Sequence, residues 1–204
     1  MSNGTSAQRQ WEAFLNPEAV RGTLISAGLF LVAYEVLRSS IIDHPLEFFA
    51  TTWTAKGPKP SEKYNREVRA LDPKGKNDPL RGSLAWLRKE GVLSSDDLNA
   101  FEQITNARNN AAHELLSQLT GRKPQDYLSL YPTLVLLIEK VERWWIINVE
   151  VPTDPAWATQ NINEDDVTPG PVLMMQILAD VAAGDSDDAW QWLKAFKAQQ
   201  GSPS

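Results

Sequence analysis

Residues 104–116 read ITNARNNAAHELL. Around them Leu98, Phe101, Ile104, Ala111, Leu115 and Leu119 recur three or four positions apart, the spacing of one apolar face of an α-helix. A helix turns about 100° per residue, and on that wheel Arg108 falls near the middle of the apolar face. An unpaired guanidinium in an apolar core carries a heavy desolvation cost. Three arrangements relieve it. A buried acid such as Glu35 pairs with Arg108, or the side chain snorkels to the surface. Otherwise the face is not wholly core, and Arg108 lines a cleft or a subunit interface.

The same helix carries a second pattern. Asn106, Asn109, Asn110 and His113 follow the i, i+3, i+4, i+7 spacing and so form one polar strip. Asparagine is a mediocre helix residue because its amide competes for backbone hydrogen bonds. A merely solvated face is more commonly built from Glu, Lys and Gln. Uncharged amides beside an arginine and a histidine fit a hydrogen-bonding site; the alternative is an amide network locking two helices together.

Working outward, Ser94-Ser95-Asp96-Asp97 caps this helix, which ends near Gly121. Pro79 to Glu90 reads as a helix stopped by Gly91. Residues 43–79 are rich in lysine, proline and glycine and read as a long connection, with a short helix from Ser61 to Leu71. Asn16-Pro17-Glu18 opens a strongly apolar helix expected to run to about Ile42. Another starts at Tyr127 or Pro132, runs to about Val149, and is ended by Val151-Pro152. Residues 152–171 read as a linker, followed by helices over Val172–Ala183 and Ser186–Ala198. No run alternates with period two as a strand would. The expected fold is all-α: a bundle of four main helices in residues 1–150, with a linker and C-terminal helical extension in residues 151–204.

Composition narrows the chemistry. Among 204 residues there is no cysteine and only two histidines, His44 and His113. Disulfides, thiolate metal sites and a cysteine nucleophile are excluded, and neither a metal nor a cofactor is expected. The net charge of −6 means that any nucleic-acid contact must use a local patch. Candidates are Lys56, Lys59 and Lys63, then Lys74, Lys76, Arg81, Arg88 and Lys89. The apolar stretch from Leu24 to Tyr34 is interrupted by Ser26 and closed by Glu35, too short for a bilayer span. With no signal-peptide pattern, a cytoplasmic protein without membrane contact is expected. His44, before Pro45, is expected at a helix end.

Arg108-Asn109-Asn110-Ala111-Ala112-His113 resembles the signature of the HEPN superfamily: arginine, a polar residue, then histidine late in a helix of an α-helical bundle. The resemblance implies a four-helix HEPN-like bundle, often dimeric, with the motif helices of two subunits meeting in a cleft. It implies a metal-independent endoribonuclease, of the kind found among toxins of toxin–antitoxin systems and phage-defence effectors. Arg108 and His113 would be catalytic, Asn109 supporting, and Asn106 and Asn110 would bind substrate. Partners would be RNA, a second copy of the chain, and an antitoxin or regulatory protein. Some family toxins carry a tyrosine two residues after the histidine; here that position is Leu115. The alternative is a non-catalytic HEPN-like domain that holds a nucleotide or a protein.

Overall fold

The computed structural model describes residues 5–121, 126–157, 162–184 and 186–200. The fold is all-α. Helix α1 (Ser6–Leu15) leads into α2 (Pro17–Phe49), a two-stranded hairpin β1 (Trp53–Thr54) and β2 (Gly57–Pro58), and α3 (Glu62–Glu67). A 3₁₀ turn (Arg69–Leu71) precedes α4 (Pro79–Lys89), α5 (Ser95–Leu119) and α6 (Tyr127–Trp145). Helix α6 continues as a π-helical segment (Ile146–Glu150) into α7 (Val151–Thr153), and α8 (Gly170–Ala183) and α9 (Ser186–Gln200) follow.

The caps read from the sequence define the main elements. The Asn16 side chain accepts from the backbone N–H groups of Glu18 and Ala19 at the start of α2. Ser94 and Asp97 close a reciprocal capping box on α5, satisfying two otherwise unpaired groups. Gly91 and Gly121 take positive φ at the ends of α4 and α5, a conformation that costs glycine little. Helix α1, which has no counterpart in the sequence expectation, is capped by Thr5 and buries none of its residues.

Helix α2 is the centre of the molecule and packs on α4, α5, α6 and α8. Phe30, Ala33, Leu37 and Ile41 are fully enclosed, with Leu134, Ile138 and Val141 of α6 and Ile104 of α5 in the same core. Val172 and Met175 of α8 also join it. Contrary to expectation, α2 does not stop near Ile42. It runs through Pro45 to Phe49, although proline removes the amide that would bond to the Ile41 carbonyl. Ile41, Pro45 and Phe49 are all buried, so packing of that stripe outweighs the missing bond. Likewise α6 passes Pro132, and helical backbone continues past Pro152. At its full 33 residues α2 is long and apolar enough to cross a membrane, unlike the shorter stretch judged from the sequence; in this fold it is the core helix.

The last part of the lysine-rich connection is tied together by one carboxylate. Asp72 accepts backbone N–H groups from Lys74, Lys76 and Asp78 and both Nε and Nη2 of Arg81. The Arg81 contact, outweighing the effect of burial, holds the Asp72 carboxyl well below the usual carboxylate range. The loop so closed delivers α4 against the 3₁₀ turn, and the approach is close enough to require glycine. A Cβ on Gly82 would lie 2.7 Å from the Val68 carbonyl oxygen and 2.9 Å from Arg69 Cα. Because those atoms are backbone, Gly82→Val is expected to cost about 2–3 kcal/mol. A lower urea midpoint with an unchanged m-value would register that loss.

Candidate functional site

Arg108 leaves α5 on the side facing α2. Its Nη2 lies 3.2 Å from Glu35 Oε1, and its guanidinium carbon sits 5.6 Å from the centre of the Tyr34 ring, within cation–π range. The pairing with Glu35, one of the three arrangements open from the sequence, is therefore present. It is not sealed: the Arg108 side chain is 37% exposed and that of Glu35 52%. Nor is the guanidinium saturated, because Nε is buried without a hydrogen-bond partner among the described residues. A buried donor left over in this way calls for an explanation.

The rest of the motif lies outward. Ala107 and Ala111 are buried against the core, whereas Asn106, Asn109, Asn110 and His113 are exposed. The asparagines thus do not lock helices through a buried network; they present one continuous polar strip to solvent. Arg108 and His113 lie about 140° apart around the helix axis. A single chain therefore does not converge them on one point. It offers a half-buried guanidinium on one flank of α5 and an exposed imidazole on the other.

The strip continues beyond the motif. Residues 113, 116, 117 and 120 extend the same i, i+3, i+4, i+7 face. Leu116, Ser117 and Thr120 there form a hollow of about 290 Å³ with Gln10, Trp11 and Phe14 of α1. Helix α1 is held near the end of α5, where a Cβ on Gly121 would lie 3.6 Å from Ala13 Cβ. Sequence reasoning did not reach this hollow, and Tyr34 was legible only as part of the apolar face of α2. The spacing of Trp11 and Phe14 behind a Thr5 cap was a usable sign of α1; nothing in the sequence marked Tyr34 as the neighbour of Arg108.

Two of the basic candidates, Lys63 and Arg81, are engaged elsewhere. Lys63 lies over the Phe49 ring at 5.3 Å, and Phe49 is 14 residues from Glu35 along α2, about 21 Å at helical rise. Arg81 is committed to Asp72. His44 is not at a helix end: it sits inside α2 with Nε2 3.0 Å from Glu142 Oε1 and stacks on Trp145. Trp192 of α9 donates to Asp180 of α8, while Trp190 is exposed. Among the described residues no group of acids and histidines is arranged to hold a metal. Comparison with protein-family models, with curated proteins and with solved structures yields no match.

Proposed function

We propose that the chain is a metal-independent endoribonuclease of HEPN type, acting as a homodimer in which two α5 helices face one another. The observation that carries the reading is the surface of α5: a reachable, incompletely hydrogen-bonded Arg108 flanking an exposed strip of Asn106, Asn109, Asn110 and His113. Uncharged amides placed beside both a fork-shaped cation and an imidazole suit a phosphodiester better than bulk water.

In the reaction the ribose 2′-oxygen attacks the adjacent phosphorus as the bond from phosphorus to the 5′-oxygen breaks. One proton leaves the 2′-hydroxyl and another reaches the departing 5′-oxygen. Imidazole exchanges protons near neutral pH, so His113 serves one transfer, and its symmetry mate can serve the other. Arg108, turned toward the cleft, offers paired N–H donors to the charge building on the phosphoryl oxygens. Asn109 orients the phosphate, and Asn106 and Asn110 hydrogen-bond the flanking nucleotides. Two-fold pairing removes the 140° problem, since Arg108 of one subunit can approach His113 of the other.

The test is RNA incubated with the purified protein in EDTA. Cleavage leaving a 2′,3′-cyclic phosphate is the expected result; intact RNA of every tested sequence, with the chain folded and dimeric, overturns the reading. A second reading is favoured by the Glu35 contact and the Tyr34 ring: Arg108 is structural, and the strip belongs to a non-catalytic binding domain that serves in defence or regulation. Its partner would be a nucleotide or a protein such as an antitoxin.

A further inference from the structure

The hollow between α1 and the end of α5 has three properties that together define an occupant. Its aromatic wall is unused by the core: the Trp11 side of α1 buries nothing, Trp11 is 62% exposed, and Leu116 opposite is 68% exposed. The two rings meet edge to face, Phe14 standing edge-on to Trp11 with centroids 6.0 Å apart and planes at 79°. An indole in such a contact presents a flat face. The remaining wall is polar but uncharged, from Gln10, Ser117 and Thr120.

The electrostatics are equally specific. The hollow lies at the C-terminal end of α5, the negative pole of the helix. That pole favours the N–H edge of a heterocycle. The Thr120 hydroxyl already donates to the Leu116 and Ser117 carbonyls, which leaves its oxygen as an acceptor toward the hollow. His113 lies one helical turn, about 5.4 Å, before the Leu116–Ser117 wall on the same face of α5.

The geometry points to a base-binding subsite: a nucleobase of single-stranded RNA stacks on Trp11 while the adjoining phosphate lies along the Asn109–His113 strip. This deepens the proposed function and rests on it for the identity of the polymer, but not on turnover. Stacking on an aromatic side chain tolerates any base, so the subsite selects unpaired strand rather than sequence. It also accounts for a nucleic-acid contact on an acidic chain, because part of the affinity comes from stacking instead of phosphate neutralisation.

The experiment measures equilibrium binding of a fluorescein-labelled hexa-adenylate by the His113→Ala chain, so that cleavage does not enter the readout. Trp11→Ala in that background is expected to weaken binding about tenfold or more, and Trp11→Phe to restore most of the loss. Leu116→Glu, on the opposite wall, should weaken it comparably by bringing a negative charge beside the strand. A fully paired RNA duplex should compete poorly. Because neither residue is buried, unfolding midpoints should match the parent. Binding by Trp11→Ala and Leu116→Glu within twofold of the parent overturns the subsite, as does equal competition by duplex. A chain that binds in a Trp11-dependent way yet never cleaves RNA refutes the nuclease and leaves the subsite standing. Cleavage by the native chain, with Trp11→Ala binding unchanged, does the reverse.

Discussion

His113→Ala is expected, on the proposed nuclease reading, to lower RNA cleavage by about 10²–10⁴-fold, the usual contribution of one positioned proton-transfer group. Arg108→Ala lowers it by about 10²–10³-fold, as expected when a donor to transition-state charge is removed. Neither change should unfold the chain. His113 is exposed, and surface replacements of that kind usually stay within about 0.5 kcal/mol. The Arg108–Glu35 pair is open to solvent on both sides, and such pairs contribute about 1 kcal/mol or less. Loss of cleavage with an intact unfolding transition is therefore the signature of chemistry. Loss of stability with unchanged cleavage is the signature of a structural arginine.

Two companion measurements sharpen that result. Glu35→Gln removes a charge that competes with phosphate for Arg108, so the nuclease should keep its kcat and bind RNA more tightly. In the structural reading the same change only weakens the fold slightly. Mixing Arg108→Ala and His113→Ala subunits tests the geometry directly. If the site joins Arg108 of one subunit to His113 of its partner, the mixed dimer retains one such pair, with one of the two imidazoles, and regains part of the activity. If both residues act within one chain, mixing restores nothing.

The parts of this molecule that were legible in advance are those governed by local rules. Ser94 and Asp97, Asn16 and Pro17, Gly91 and Gly121 mark helix ends by hydrogen bonding and φ within a few residues, so α2, α4 and α5 could be placed. The exposed strip was readable because it depends only on helical period, and Glu35 was already a candidate partner for Arg108. What failed were local rules overridden by packing. Pro45 is a helix breaker by its own chemistry, yet it lies in a buried stripe with Ile41 and Phe49. Contacts between distant segments had no local trace at all. Tyr34 beneath the guanidinium and α1 folded against the end of α5 depend on which helices meet, and so does the pairing of His44 with Glu142 across about a hundred residues.

That last pairing carries a large expected stability effect for a polar residue. The Glu142 side chain is 9% exposed, and its carboxylate accepts the Ser40 hydroxyl and lies 3.0 Å from His44 Nε2. His44 in turn stacks on Trp145 with ring centres 4.8 Å apart, so α2 and α6 are joined by a polar clasp inside an aromatic wall. Burial alone would raise the Glu142 pKa. Hydrogen bonds from His44 and Ser40 and the attraction of the imidazole outweigh it and hold the carboxyl below its ordinary value of 4.5.

Removing the carboxylate leaves the half-buried His44 without its partner and the Ser40 hydroxyl with only the Val36 carbonyl, and losing such a contact costs about 1–3 kcal/mol. Glu142→Ala should lose that much, and Glu142→Gln less, since an amide oxygen still accepts from Ser40. The pH dependence has a definite sign. A carboxyl depressed in the folded state stabilises fully above its unfolded value and loses that contribution as pH falls through the folded one. Native stability should therefore decline below about pH 4.5 more steeply than that of Glu142→Gln, and the gap between the two should narrow as the pH drops. Urea midpoints measured between neutral and strongly acidic pH decide the matter: parallel curves would mean that the clasp is not held by charge. His44 lies nine residues beyond Glu35 on α2, about 13.5 Å along the helix. Glu142→Ala should accordingly leave any RNA cleavage unchanged at temperatures where the chain stays folded, which separates the element that holds the bundle together from the proposed site on α5.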